Sequence, residues 1–259
     1  MCRWLNIPRS SYYYQAVDPV SEADLEDKIT YIFLESKSRY GARKIKKCLE
    51  KDGIILSRRR IRRIMKRLNL VSVYQKAAFK PHSRGKNESP IPNRLDRQFD
   101  QKRPLEALVT DLTYVRVDRR WAYVCLIIDL FNREIIGLSV GWHNTAELVK
   151  QAIQSIPYAL TKAKLFHSDR GKEFDNQLID EMLEAFGITR SLSQAGCPYD
   201  NAVAESTYRS FKLEFINQET FQSLKELALK TKDYVHWWNY HRIHGSLNYQ
   251  TPMTKRIIA

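Results

Sequence analysis

The hydrophobic pattern changes type at about residue 105, and this change limits the folds that the chain can adopt. Before that point apolar residues recur at helical spacing, and after it come three β-branched and aromatic runs: LEALVTDLTYVRV, RWAYVCLIIDLF and REIIGLSVGW. Short turns around 118–119 and 132–133 separate the runs, which predicts an antiparallel meander. The later pattern predicts helices over 145–156, 176–186 and 202–217, and strands over 164–169 and 189–192. Together these elements predict an α/β fold, a mixed five-stranded sheet with flanking helices.

Three short helical patterns make up the N-terminal part. Gly53 breaks the second pattern, and Ser57 is placed to cap the third. The outer face of that third helix is arginine and lysine, which is the layout of a helix-turn-helix whose last helix enters the major groove. A basic amphipathic helix could also bind RNA or an acidic protein. We predict an all-α helix-turn-helix DNA-binding module. The predicted apolar stripes are Leu25, Ile29, Ile32 and Phe33; Ala42, Ile45 and Leu49; and Ile61, Ile64, Met65 and Leu68.

The segment between these two parts has four prolines, many polar residues and no sustained period, which is typical of a linker. The sequence therefore predicts a helical DNA-binding module over residues 1–71, a basic Pro-containing linker over 72–104, and an α/β core with a C-terminal helical tail over 105–259.

Positive charge is concentrated in the N-terminal part. Residues 1–104 contain 25 Lys and Arg against 11 Asp and Glu, a net of 25 − 11 = +14, whereas residues 105–259 contain 18 of each. Between Asp52 and Glu88 there are 11 basic residues and no acidic one. A solvated basic face would explain this less well than a polyanionic partner, and we expect double-stranded DNA.

The sequence gives no sign of membrane insertion or export. It has no run of about 18 apolar residues, and its first twenty residues lack the order of a secretion signal. The four cysteines are far apart, without a Cys-x-x-Cys pair, so we expect reduced thiols and neither a disulfide framework nor a cysteine-based zinc site. We expect a cytoplasmic protein without a membrane partner.

Three acidic residues lie at positions where an acidic side chain is unusual, in or next to apolar strands and helix faces. Asp111 lies inside the first predicted strand, Asp169 ends the fourth, and Glu205 lies beside the apolar stripe of the last long helix. Taken singly, they could be an edge-strand gatekeeper, a turn former, and a surface pair with Arg209. If they converge, a cation must compensate their repulsion. Oxygen ligands without cysteine select Mg²⁺ or Mn²⁺, and two such ions about 4 Å apart can serve phosphodiester displacement.

The sequence motifs around these acids resemble those of a known family, and the resemblance covers residues 27–252. They are TDLTYV at 110–115, HSDRGKEF at 167–174 and GCPYDNAVAESTYRSFKLE at 196–214, together with SRYGARKI at 38–45 and WNYHRIHGSLNYQTP at 238–252. Asp169 and Glu205 are separated by 35 residues. The chain resembles the second-reading-frame product (OrfB) of copy-out, paste-in bacterial insertion sequences, which belong to the superfamily of DDE transposases and retroviral integrases.

That resemblance implies an RNase H-like catalytic core, in which Asp111, Asp169 and Glu205 hold two Mg²⁺ or Mn²⁺ ions per active site. It also implies 3′-end cleavage and strand transfer at the terminal inverted repeats of the element, by a homo-oligomer on DNA. A bacterial, nucleoid-associated protein is what the resemblance leads us to expect. Lys212 would contact the element's end, and Arg209 the entering phosphates. Further DNA contacts are predicted at Arg58, Arg59, Arg60, Arg62, Arg63, Lys66, Arg67, Arg43, Lys44 and Arg242.

Two positions depart from the family's pattern, since Glu173 and Phe174 stand where the family usually has Gln and Tyr. The family's active enzyme is usually a frameshift fusion, so we expect a separate downstream product that works with the upstream-frame protein, or a truncated one with reduced activity. His167 could orient a water molecule or merely pack. Two alternatives to a transposase stay open: a catalytically inactive DNA-binding regulator of transposition, and an RNase H-fold nuclease.

Overall fold

The computed structural model describes Trp4, Pro8, residues 21–75 and residues 89–259. The chain divides into two compact units, Met1–Ser72 and Val73–Ala259. Of the predicted linker, residues 76–88 lie outside the described part. In the described part of the chain, every helix is too short or too polar to span a lipid bilayer.

Within residues 21–72, the described part of the first unit has three helices: α1 (Glu22–Glu35), α2 (Ala42–Lys51) and α3 (Arg58–Arg67). Ser57 caps α3 as predicted, since its Oγ accepts a hydrogen bond from the backbone N–H of Arg60 at 3.2 Å. Gly53 follows α2 with φ +77°, a conformation that glycine adopts at little cost. The helices bury the predicted apolar stripes against one another, except that Ala42 and Leu68 are only half-buried. The buried set is Leu25, Ile29, Ile32, Phe33, Ile45, Leu49, Ile61, Ile64 and Met65.

The second unit is built on a mixed five-stranded sheet in the order β3-β2-β1-β4-β5. Its strands are β1 (Ala107–Val117), β2 (Arg120–Asp129), β3 (Ile135–Gly141), β4 (Leu165–Ser168) and β5 (Thr189–Leu192). The first three form the predicted antiparallel meander, while β4 pairs in parallel with both β1 and β5. This is the α/β architecture that the sequence predicted.

In residues 89–259 five α-helices accompany the sheet, which separates the core into two layers. Helices α4 (Ala146–Gln154) and α5 (Gln177–Ala185) pack on one face. Helices α6 (Ala202–Glu214) and α7 (Leu224–Tyr240) pack on the other. A short helix α8 (Pro252–Ile257) ends the fold. The residues of β1 alternate between the two layers, with Val109, Val115 and Val117 in the α6 layer and Leu108 and Leu112 in the α4 layer.

The segment just before the sheet packs against it. Leu95 is 2% exposed and lies in the α6 layer. The backbone N–H groups of Arg94 and Leu95 donate to Oγ of Ser191 in β5 at 2.8 and 3.2 Å. This part of the predicted linker is therefore ordered on the core.

Candidate active site and DNA-binding surfaces

Asp111 and Asp169 lie just beyond the last paired residues of the parallel strands β1 and β4. Val109 of β1 pairs with His167 of β4. Two residues further along the chain stand Asp111, within β1, and Asp169, the first residue after β4. Strand alternation places Asp111 on the same face as Val109. That face is the α6 layer. Both aspartates are half-buried. The fold therefore brings two of the three predicted acids to one edge of the sheet, at the end of the short strand β4.

Local hydrogen bonds hold both carboxylates. Oδ1 of Asp111 accepts from the N–H of Leu112 at 2.7 Å. Oδ1 of Asp169 accepts from the N–H of Gly171 at 3.0 Å, so Asp169 does form the turn that its sequence context allowed. Arg170 fixes the chain beyond β4, because its guanidinium donates to the carbonyl oxygen of Ser193 at 2.7 Å and to that of Ser89 at 2.5 Å.

Helix α6 carries Glu205 and begins beside Asp111. Nδ2 of Asn201, the residue before the helix, donates to the carbonyl oxygen of Thr110 at 2.9 Å. The Tyr208 hydroxyl donates to the carbonyl oxygen of Asp111. Burial, then the charges of Cys125 and Asp111, raise the pKa of Tyr208 well above its usual value, so it stays a protonated donor. These bonds hold the first turns of α6 at the level of Asp111.

The three acids do not form a finished metal site. Glu205 is exposed on α6. Within residues 21–75 and 89–259, no three histidine, cysteine, aspartate or glutamate side chains lie close enough together to hold a metal ion. The structure thus shows two aspartates at the same end of the β1–β4 pairing, with the predicted third acid on helix α6, which packs on the sheet.

The buried His167 is a structural residue of this region. Nδ1 lies 2.8 Å from Oγ of Ser191, and Nε2 lies 3.1 Å from Oγ of Ser193. Burial lowers the pKa of His167 to about 4, so the ring is neutral at physiological pH. Both ring nitrogens have serine partners, which favours packing over orientation of a water molecule. Phe174 is 1% exposed in the core, so the departure from the family's pattern there changes packing.

Lys212 and Arg209 lie further along α6. Arg209 is exposed. Nζ of Lys212 lies 4.6 Å from the ring centroid of Tyr114, a cation–π contact. The side chains of Glu205, Arg209 and Lys212 succeed one another along the helix at spacings of four and three residues, which places them on one face.

The basic helix α3 has two kinds of cation. Five side chains are exposed and point away from the core of the unit: Arg58, Arg59, Arg62, Arg63 and Lys66. Arg60 and Arg67 instead form ion pairs with Glu22 of α1 at 2.6 and 3.0 Å. The hydrogen bonds from Arg60 and then Arg67 lower the pKa of Glu22. Arg67 also pairs with Glu26.

Among the other predicted DNA contacts, Arg43 is exposed on α2, and Lys44 is half-buried with its Nζ 4.7 Å from the ring centroid of Tyr40. Arg242 differs from all of these. Its guanidinium is buried and donates to both carboxylate oxygens of Glu214, with Nη2 at 2.8 Å from Oε1. Burial disfavours its charge, but Glu214 outweighs this and raises the pKa of Arg242. Arg242 therefore does not offer its guanidinium to DNA, contrary to the prediction.

Several residues that build this region were not recognised from the sequence. Tyr208 counted only as part of an apolar stripe. Asp200 is 1% exposed and accepts hydrogen bonds from the N–H of Gln194 at 3.0 Å and from Nε of Arg97 at 2.8 Å. Burial would raise the pKa of Asp200, but these bonds lower it. The polar residues Asp200 and Asn201 directly before a helix were the available signal.

The fold defines a class of protein: an RNase H-like α/β core together with a helix-turn-helix-like module. Comparison with known proteins agrees. Residues 101–198 and 186–252 each match an integrase core domain, and residues 20–78 match an HTH-like domain.

Relatives of known name make the assignment specific. The chain is 30% identical to the putative transposase InsK for insertion sequence element IS150 of Escherichia coli, over 99% of this chain and 92% of the relative. It is 29% identical to the transposase for insertion sequence element IS904 of Lactococcus lactis, over 88% of this chain and 91% of the relative. The chain belongs to the family of insertion-sequence transposases, enzymes that cut and join DNA.

The same fold occurs in a solved assembly. The structure of the simian T-cell lymphotropic virus intasome in complex with PP2A regulatory subunit B56 gamma matches with a TM-score of 0.51 and 11% identity. The match covers 82% of this chain and 70% of that one. At this identity the likeness concerns the fold alone.

Proposed function

We propose that this transposase catalyses metal-dependent cleavage at the 3′ ends of its insertion sequence and joins those ends to target DNA. The observation that carries the proposal is that Asp111 and Asp169 both follow, by two residues, the last β1–β4 pair, Val109 with His167. Helix α6, which carries Glu205, packs on the face of the sheet that Val109 lines. Two half-buried carboxylates at neighbouring positions repel each other unless a cation lies between them. A purely structural role would not explain this arrangement.

The donor set fits hard divalent cations. Asp111, Asp169 and Glu205 would supply only carboxylate oxygens, which suit Mg²⁺ or Mn²⁺. Two ions bound there would activate the attacking oxygen and stabilise the leaving one. Glu205 is exposed on a helix whose first turns are held against β1. Its side chain would supply the third carboxylate ligand.

The protein's own residues would position the DNA. Tyr208 and Asn201 hold α6 against β1, and Arg170 holds the chain after Asp169. Lys212 and Arg209 follow Glu205 along one face of α6, where they would contact phosphates of the element's end. The exposed cations of α3 would hold the terminal inverted repeat through its backbone and major groove.

The partners follow from the proposed reaction. The substrates are double-stranded DNA, namely the terminal inverted repeats and the target. An element has two ends, so joining both in one event requires at least two active sites, and we propose a homo-oligomer on DNA. The upstream-frame protein of the same element is a proposed further partner.

The test is strand transfer on a duplex that carries the end of the chain's own element, with Mg²⁺ or Mn²⁺. The wild type should cleave the 3′ end and join it to target DNA. Asp111→Asn, Asp169→Asn and Glu205→Gln should each lose both steps while binding the end duplex as tightly as the wild type. Asp118→Asn, in the exposed β1–β2 turn, is the matched control and should keep full activity.

Two results would count against the proposal. Binding without cleavage in the wild type, across both metals and with the upstream-frame protein added, would indicate a DNA-binding regulator. Cleavage that never leads to joining would indicate a nuclease of the same fold.

A further inference from the structure

A groove lies beside the C-terminal half of β1, away from the end that pairs with β4. Two exposed aromatic rings line it. Tyr114 and Trp121 are 44% and 50% exposed. Their ring centroids are 5.2 Å apart and the rings are nearly perpendicular, at 88°. The groove has a volume of ≈ 310 Å³, at the low end of the range for ligand-binding pockets. Large aromatic side chains left half-exposed together usually mark a binding surface.

The groove lies further along β1 and α6 than Asp111 and Glu205. By strand alternation Tyr114 is on the opposite face of β1 from Asp111, and Lys212 of α6 meets its ring at the rim of the sheet. Three contacts show that α6 runs alongside β1 in the same direction: Asn201 with Thr110, Tyr208 with Asp111, and Lys212 with Tyr114. Tyr114 is three residues beyond Asp111, or about 10 Å along a strand. Lys212 is seven residues beyond Glu205, also about 10 Å along a helix. This separation equals roughly three nucleotide steps of a B-form strand.

The charge of the groove suits a nucleic-acid strand. The Arg116 guanidinium lies 5.4 Å from the ring centroid of Trp121, and Nζ of Lys212 lies 4.6 Å from that of Tyr114. Both cations stand at the rings, where they can meet a phosphate. Glu219 also lines the groove, but it forms an ion pair with Lys230 at 2.8 Å, which compensates its charge.

We propose that this groove, made by Tyr114, Trp121, Arg116 and Lys212, binds an unpaired nucleobase of the DNA strand that enters the active site. Two perpendicular rings form a corner in which a flat base stacks on one ring while its edge meets the other. A paired base within a duplex has no free face to offer, so the occupant is an unpaired base near the cleaved end. The inference rests on the proposed function, since it takes DNA as the substrate.

The test measures binding of the full chain to two labelled duplexes of the same sequence, one blunt and one with a short single-stranded thymine tail, in EDTA. The wild type should prefer the tailed duplex. Tyr114→Ala and Trp121→Ala should each weaken tailed binding by about five-fold or more, as expected for loss of a base–aromatic stack, and leave blunt binding unchanged. Tyr114→Phe retains the ring and should retain the preference. Phe186→Ala removes another exposed aromatic of the core and should change neither affinity.

Two further measurements distinguish the loss of an aromatic ring from a general loss of folding. Tyr114→Leu and Trp121→Leu keep apolar bulk without an aromatic face, and they should lose the tail preference as the alanine variants do. A tail containing 5-iodouracil should crosslink to Tyr114 or Trp121 on irradiation, as mass spectrometry of the digest would show.

Equal wild-type affinity for both duplexes, or an undiminished preference in the alanine and leucine variants, would overturn the inference. Because EDTA removes any need for catalysis, the outcome is separate from that of the proposed function. A protein with the tail preference but no strand transfer would refute the proposed function alone. A protein that joins DNA without any tail preference would refute the groove alone.

Discussion

The hydroxyl of Tyr208 on α6 donates a hydrogen bond to the carbonyl oxygen of Asp111 on β1. The oxygen of the Tyr208 hydroxyl in turn accepts a hydrogen bond from the backbone N–H of Leu126 on β2 at 2.5 Å. One buried side chain therefore joins three elements at the residue proposed as a metal ligand. Since Glu205 is three residues before Tyr208, the bond also sets the height of Glu205 relative to Asp111.

Tyr208→Phe should reduce strand transfer more than its effect on stability explains. The change removes the hydroxyl but keeps the ring, so the core stays filled. Loss of the buried partners should cost about 1–3 kcal/mol of unfolding free energy. Urea denaturation measures this cost, and strand transfer well below the unfolding transition measures activity.

Tyr234→Phe is the matched control for that change. Tyr234 is also buried in the α6 layer, but its hydroxyl donates to Oε2 of Glu214 at 3.0 Å, at the other end of α6. It should lose similar stability and keep its activity. Equal losses of activity in both variants would show that Tyr208 acts only through general stability.

The sequence predicted the sheet because its strands are β-branched and aromatic runs separated by clear turns. These runs are apolar on both faces, as expected for strands that helices cover on both sides. It singled out Asp111 and Asp169 as candidates because an acid in or directly after a buried strand needs a reason. The partners of charged side chains were not predictable. Arg242 and Arg209 are the same residue type, but one is buried against Glu214 and the other is exposed. Only the packing of distant elements distinguishes them.

Divalent cations should stabilise the wild type against unfolding. A ligand that binds only the native state adds about 2.7 kcal/mol at a concentration 100 times its Kd. Asp111→Asn and Asp169→Asn should lose most of the rise in melting temperature caused by Mg²⁺ or Mn²⁺. Without metal, each should be at least as stable as the wild type, because the repulsion between neighbouring carboxylates is relieved.

Asp118→Asn provides the comparison for the metal titration. It removes one carboxylate from the exposed turn after β1, at φ +47°, a conformation that asparagine tolerates. Its metal-dependent shift should equal that of the wild type. The same shift in all three variants would place the cation elsewhere than at the two aspartates.

Arg242→Met should destabilise the core by about 3–5 kcal/mol, because it leaves the carboxylate of Glu214 buried without its cation. Glu214 is 1% exposed, and the Tyr74 hydroxyl also donates to it. Replacing both members, as in Arg242→Met with Glu214→Met, should restore much of the loss. Arg209→Met on the exposed face should change stability by no more than about 0.5 kcal/mol. Denaturant unfolding of the four proteins decides the matter, and a tolerated single Arg242→Met would contradict a buried ion pair.

The two kinds of cation on α3 predict different salt dependence of DNA binding. Arg59→Gln with Lys66→Gln removes two exposed charges seven residues apart, and it should reduce the slope of log K against log salt by about two, near 0.9 for each lost phosphate contact. Arg60→Gln with Arg67→Gln has the same spacing, but these side chains are held by Glu22 and Glu26, so the slope should fall by less than half as much.

Breaking the ion pairs of Arg60 and Arg67 should strengthen DNA binding. Glu22→Gln with Glu26→Gln frees Arg60 and Arg67 without adding a cation to the chain. Affinity for duplex DNA should rise and the slope of log K against log salt should steepen, because the freed guanidinium groups can reach DNA phosphates beside the other exposed cations of α3. Fluorescence anisotropy over a range of NaCl concentrations measures both quantities. If the two glutamine double variants of Arg59 with Lys66 and of Arg60 with Arg67 gave equal slopes, the distinction drawn from the ion pairs would be wrong, and all the cations of α3 would serve DNA alike.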